Sequence, residues 1–216
     1  TTHSTGRRQR QMCIRDSPLV NMNRTADIER ETTETHIRVS LKLDGQGQAE
    51  ISSGIPFFDH MLTLFTVHGF FDLFLHAKGD LDVDFHHTVE DVGLVLGQAV
   101  AKALGERKGI RRYGHAVTPM DDALAAVTID LSNRPFLVYN APEPAVSEVG
   151  LSPSLAKEFF RSLVNRAGMN LHINVPYGEN EHHVIESIFK AFGRALHQAS
   201  AFDKGISGVR SSKGVL

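Results

Sequence analysis

Two short segments, HHTVED (86–91) and HHVIES (182–187), each place two adjacent histidines ahead of a glutamate. His86 and Glu90 are four residues apart, His87 and Glu90 three; His182, His183 and Glu186 repeat that spacing. On a helix both spacings fall on one face. Adjacent histidines at a helix start point in different directions, so one ion cannot easily take both. Each histidine of a pair is therefore expected to serve a different metal, with the two segments sharing the ions. Imidazole and carboxylate without thiolate suit manganese, iron, zinc, cobalt or nickel. The pattern is not HExxH, because the glutamate follows the pair. A lone His-His is more often a surface pair; two matched pairs with matched glutamates are not. His60 and Glu158 stand 26 and 24 residues before their pairs, at matching repeat positions. Either alone reads as a satisfied polar residue at a core edge. Together they are candidate third ligands.

Arg112, Arg134, Lys190 and Lys213 are cations in turns or on helix faces. Ser211-Ser212-Lys213-Gly214 could wrap a phosphate, though a frayed polar tail is an equal reading. Glu34 alternates within TTETHIRVSL, where an exposed strand face is the plain reading.

The elements that must position these residues repeat. A shift of 96 puts Gly97 on Gly193, Ala99 on Ala195, Ala103 on Ala199 and Lys108-Gly109-Ile110 on Lys204-Gly205-Ile206. Val89, Val92, Val95, Leu96, Ala99, Val100 and Ala103 form an amphipathic helical stripe, as do Ile185, Ile188, Phe189, Phe192, Ala195, Leu196 and Ala199. Each stripe is expected to stop at a glycine followed by an apolar residue. Upstream, helical stretches begin at Phe57 and Leu155, 98 residues apart, each followed by a glycine and a short strand, Asp72–His76 and Asn170–Val175. Strands also read at Thr33–Leu43, Ala123–Leu131 and Phe136–Tyr139. Two halves of roughly strand, helix, strand, helix predict an α+β protein by internal duplication, with helices on one face of each sheet.

Composition excludes several classes. The 216 residues are 41% hydrophobic and 22% charged, ordinary for a globular chain. A net charge of -2 gives no basic field for nucleic acid. The single cysteine, Cys13, permits no disulfide framework or thiolate zinc site. No apolar run of about 18 residues is present. Residues 1–17 carry Arg7, Arg8, Arg10 and Arg15 without a hydrophobic period, and read as a non-native or disordered leader. An acid-poor transit peptide stays open.

The motifs RETTET, GIPFFDHML, HGFFDL, GDLDVDFHHTVEDVG, RYG, PMDDAL, NRPF, LHINVPYGENEHHVIES, FKAFGRAL and SSKGVL, in that order, resemble the imidazoleglycerol-phosphate dehydratase family of histidine biosynthesis, from about Arg24 to Leu216. The resemblance implies two βαβ-type halves (about 24–114 and 115–216), each a four-stranded sheet with two helices on one face, a ribosomal-S5-domain-2-like fold. It implies two manganese ions per chain, bound between subunits of a cytoplasmic homo-oligomer of 24. Carried over by motif, the metal ligands are His60, His86, His87, Glu90, His182, His183 and Glu186. Some members have histidine where this chain has Glu158. Glu34 matches the catalytic acid/base. Arg112, Arg134, Lys190, Ser212 and Lys213 match the phosphate-binding set, and His68 and Asp121 fall near the substrate. Leu64 stands where the family often has Gln, and Asp122 where it often has Glu.

The implied reaction removes water from imidazole glycerol phosphate. The carbon-bound proton is not acidic, because no carbonyl adjoins it, so the ring must act as electron sink. Metals on the ring nitrogens or hydroxyl would act as Lewis acid and template, Glu34 would move the proton, and cations on the phosphate would supply remote binding energy. Two other readings use the same ligand types. One is a dinuclear metal-dependent phosphate-ester hydrolase, which needs the phosphate at the metals. The other is a non-enzymatic metal-binding oligomer, which has no use for Glu34.

Overall fold

The computed structural model describes residues 24–142 and 150–215. The leader expected over residues 1–17, with Cys13, lies outside them. The first half contains β1 (Thr25–Glu31), β2 (Thr35–Lys42), β3 (Ala49–Ser52), α1 (Pro56–Gly69), β4 (Asp72–Gly79) and α2 (His86–Leu104). The second repeats the order as β5 (Tyr113–Met120), β6 (Ala123–Asp130), β7 (Phe136–Asn140), α3 (Pro153–Ala167), β8 (Asn170–Tyr177) and α4 (Glu181–Ser200). The sheets have matched orders, β1-β2-β4-β3 and β5-β6-β8-β7. In each, the outer hairpin and its neighbour are antiparallel, and the third strand of the half runs parallel to the fourth across its helical crossover. This is the duplicated α+β architecture that the repeat predicts.

Strand alternation gives each sheet one apolar face. Ile37, Val39, Leu41, Leu73 and Leu75 are buried in the first sheet, and Val127, Ile129, Leu171 and Ile173 in the second. The four helices lie between these faces. Their pairing crosses the halves: α1 packs on α4, and α2 on α3. The matched glycines explain how closely. A methyl built on Gly97 of α2 would lie 2.5 Å from the carbonyl oxygen of Leu163 on α3. One built on Gly193 of α4 would lie 2.4 Å from that of Phe65 on α1. Phe65 and Leu163 are themselves repeat equivalents, so one crossing is built twice. Phe159, Phe160, Phe189, Phe192, Phe58 and Phe65 fill the space around the crossings.

Two local expectations are corrected. The glycines at 109 and 205 do not end the long helices. α2 ends at Leu104 with Gly105 as its cap, and α4 ends at Ser200 with Ala201 in extended conformation. Residues 108–110 instead join the chain to the segment after α4, through Gly109 N–H donating to the Gly208 carbonyl (2.8 Å) and a bridge between Ile110 and Phe202. Glu34 is not within a strand. β2 begins at Thr35, and Glu34 sits in the β1–β2 turn, which the Thr32 hydroxyl holds by accepting from the amides of Glu34 (3.2 Å) and Thr35 (3.0 Å).

Candidate functional site

Both histidine pairs open a helix at the same end of the helical layer. A polar side chain one or two residues ahead of each helix accepts from its first amides. Asp84 accepts from the His86 amide (2.7 Å), and Asn180 from those of His182 (2.9 Å) and His183 (3.3 Å). The first histidine of each pair reaches its glutamate one turn on: His86 Nε2–Glu90 Oε2 is 3.3 Å, and His182 Nε2–Glu186 Oε2 is 3.0 Å. The second histidine turns toward the sheet. His87 Nδ1 lies 2.9 Å from Asp80 and 3.8 Å from Glu34. His183 Nδ1 lies 2.5 Å from Asp122, and its Nε2 3.6 Å from Asp121. The rings of a pair stand 6.2 Å and 6.0 Å apart, near-perpendicular. Adjacent histidines therefore do face different partners.

His60 comes from α1 across the α1–α4 seam, with its Nε2 3.6 Å from Glu186. His60, His182 and Glu186 offer ligand atoms all within 4.8 Å of one another, the one such three-donor group among the described residues. This donor set fits a divalent cation: two imidazoles and a carboxylate, with Glu186 buried and held ionised. Burial opposes that ionisation, and the hydrogen bonds from Lys190 and His182 outweigh it, so its carboxyl lies below the usual range.

The equivalent place in the other seam differs. Glu158 stands on α3 where His60 stands on α1, but both its oxygens accept from Arg161 Nη1, at 2.8 and 2.7 Å. It does not form a three-donor group with His86 and Glu90. Leu64, one turn past His60, packs against the core edge. His68, a further turn on, lines a cavity of about 640 Å³ with Arg111, His115, Arg194 and His197, and burial pushes its imidazole down.

The candidate phosphate-binding residues separate into two groups. Lys190 bonds Glu186 beside the His60 cluster. Arg112, Arg134, Ser212 and Lys213 belong to the opposite end of α4. The Arg112 amide donates to the carbonyl of Ala199 (2.9 Å), near the C-terminus of the helix that His182 and His183 begin. Its guanidinium forks onto Asp130 (2.6 and 3.0 Å) and donates to the carbonyl of Arg210 (2.6 Å), which ties down the segment carrying Ser212 and Lys213. Arg134 is exposed in the β6–β7 connection. At a rise of ~1.5 Å per residue, the sixteen positions from His183 to Ala199 separate these ends by roughly 24 Å.

Sequence reasoning missed three acids. Asp80 and Asp122 bond the second histidines. Asp91, next to Glu90, accepts from Arg30 and from the Thr35 hydroxyl (2.5 Å), and so fastens the Glu34 turn to α2. The run Asp80, Asp82, Asp84 and the doublet Asp121-Asp122 were visible signals, but only the folded contacts separate the partners from their neighbours.

Residues 53–196 match the family model described as imidazoleglycerol-phosphate dehydratase. The chain belongs to the imidazoleglycerol-phosphate dehydratase family. It is 62% identical over 195 residues to the imidazoleglycerol-phosphate dehydratase of Desulfosudis oleivorans, covering 90% of this chain and all of that one. The Geobacter sulfurreducens protein of the same name is 54% identical over 195 residues, with the same coverage. Two crystal structures share the fold. IGPD from Pyrococcus furiosus, solved in a ligand complex, superposes with a TM-score of 0.77 at 38% identity over 88% of this chain and all of that one. The Staphylococcus aureus imidazoleglycerol-phosphate dehydratase gives 0.75 at 38% identity over 83% and 99%. Membership places the chain among hydro-lyases, and the duplicated halves, the histidine pairs and the crossed seams are features of this dehydratase-family chain.

Proposed function

We propose that this chain dehydrates imidazole glycerol phosphate to imidazole acetol phosphate, a step of histidine biosynthesis, with two manganese ions per chain. The convergence of His60, His182 and Glu186 from two repeats carries the metal part of this reading. Those residues would hold one ion, and His86, Glu90, His87, His183 and Glu158 the remaining positions. A bound ion supplies Lewis-acid stabilisation of negative charge on the imidazole ring. The chain's own groups do the rest. Glu34, exposed in a pinned turn beside His87, takes the proton from the carbon next to the departing hydroxyl. The hydroxyl leaves with that proton's equivalent as water, and the enol formed rearranges to the ketone. Lys190, Arg112, Arg134, Ser212 and Lys213 are the phosphate anchors, with His68 and Asp121 at the edge of the substrate.

The same reading supports assembly. A substrate of this size cannot reach both a histidine pair and residues roughly 24 Å away in one chain. A second copy must bring the Arg112 end of its molecule to the histidine end of this one. We take the assembly to be a homo-oligomer of 24 chains in the cytoplasm. No helix of the described residues is long and apolar enough to cross a membrane.

Glu34→Gln tests the catalytic part. The variant is expected to lose turnover of imidazole glycerol phosphate by at least about 100-fold while binding the same amount of manganese. Retained turnover would remove Glu34 from its role.

A further inference from the structure

The two second histidines meet their acids through the same ring atom but from different elements. Asp80 follows β4 and bonds His87 Nδ1. Asp122 lies in the β5–β6 turn and bonds His183 Nδ1. A shift of 88 brings Thr35 onto Ala123 and Lys42 onto Asp130, and it brings Glu34 onto Asp122. A shift of 98 brings Gly79 onto Tyr177 and Asp80 onto Gly178. At Gly178 a side chain has no room, since a methyl there would meet Val184 Cγ2 at 2.5 Å and Ala123 Cβ at 3.0 Å. So the second half has no counterpart of Asp80, and its turn acid must serve the histidine instead. In the first half Asp80 occupies Nδ1, and the turn acid Glu34 stands back at 3.8 Å.

Resting on the reading of His87 and His183 as ligands, we propose that Asp80 and Asp122 are positioning residues that hold the two imidazoles with Nδ1 protonated and Nε2 free to face an ion. An ionised carboxylate can only accept, so the ring nitrogen bonded to it carries the hydrogen. A neutral imidazole has one such hydrogen, and fixing it on Nδ1 leaves the lone pair on Nε2. The division of labour also accounts for a single proton carrier per chain. Asp122 is fully engaged, because its second oxygen accepts from the amides of Glu179 (2.6 Å) and Asn180 (2.9 Å). Glu34 is relieved of that task by Asp80. Asp80 has no comparable structural duty, since its other oxygen is buried without a partner.

Those contacts define a discriminating variant. In Asp122→Asn the amide oxygen must stay on the Glu179 and Asn180 amides, which turns the NH₂ toward His183 Nδ1. The ring then has to accept at Nδ1 and carry its hydrogen on Nε2, where it cannot ligate. Manganese titration of metal-stripped, full-length Asp122→Asn, Asp80→Ala and His183→Ala proteins tests this, with thermal melting as the control. The expected result is a 10- to 100-fold loss of affinity for one of the two ions in each aspartate variant, at unchanged melting temperature and with the other ion unaffected. A purely structural Asp122 would move the melt and both ions together, which overturns the proposal. So does wild-type binding by Asp122→Asn beside a deficient His183→Ala. If His183→Ala itself binds both ions normally, the ligand reading fails, and the proposal with it.

Discussion

At the scale of single residues, the two seams differ first in the exchange of His60 for Glu158. His60 meets His182 and Glu186 through its imidazole, whereas Glu158 is a carboxylate held by Arg161 through both oxygens. Under the proposed reading a carboxylate would bind the same hard cation, with Arg161 competing for it. Glu158→Ala is expected to lower manganese content, and Glu158→His to restore it. Unchanged stoichiometry in the alanine variant would take Glu158 off the ligand list. The histidine pairs and their glutamates were legible in the sequence because spacing on a helix is local, and His60 because it matches Glu158 in the repeat. Asp80, Asp91 and Asp122 were not, because each is chosen by a partner 7, 56 or 61 residues away, in a contact that only the fold creates.

At the scale of elements, the repeated glycines set how near the helices come. Gly97→Ala or Gly193→Ala forces a methyl against a carbonyl oxygen, and should cost about 1–3 kcal/mol in denaturant unfolding. A change within a few tenths would mean that the seams can open without loss. Acid sensitivity also has an element-level source. Asp72, at the start of β4, accepts from the amides of Gln46 and Gln48, and these hold its carboxyl below the usual range. A lowered pKa in the folded state contributes stability that is present above about pH 4 and lost as pH falls through the folded value. Asp72→Asn should therefore flatten the decline in melting temperature below pH 4 and matter more at pH 7; an identical acid limb would contradict this. The helices and the inner strands were readable because their apolar periods are strong. β1 was missed because TADIERE buries a single position, and β3 because four residues carry no period. The Thr33–Leu43 strand overran β2 by two residues at its start, where its alternation continues into the Glu34 turn, and by one at its end.

At the scale of the whole molecule, the duplication opens two helices with histidine pairs at one end, with three donors meeting across the α1–α4 seam, while Arg112 and the segment carrying Ser212 and Lys213, all proposed phosphate anchors, lie at the far end of α4. Duplication was legible from the 96-residue shift; the separation of the ends was not, because it follows from helix length and packing. Mixed assembly tests the sharing. Glu34→Gln and Lys213→Ala chains, each inactive alone, should regain part of the activity when unfolded together and refolded. No recovery in well-formed mixed oligomers would place both residues in one chain's site. Manganese removal should also loosen the assembly, read as smaller particles in ultracentrifugation. The most direct measurement is turnover of imidazole glycerol phosphate by metal-stripped protein before and after manganese is added. Imidazole acetol phosphate formed only after manganese addition is the predicted result. Protein that takes up two ions per chain and forms no product, or that turns over equally well without them, would contradict the account.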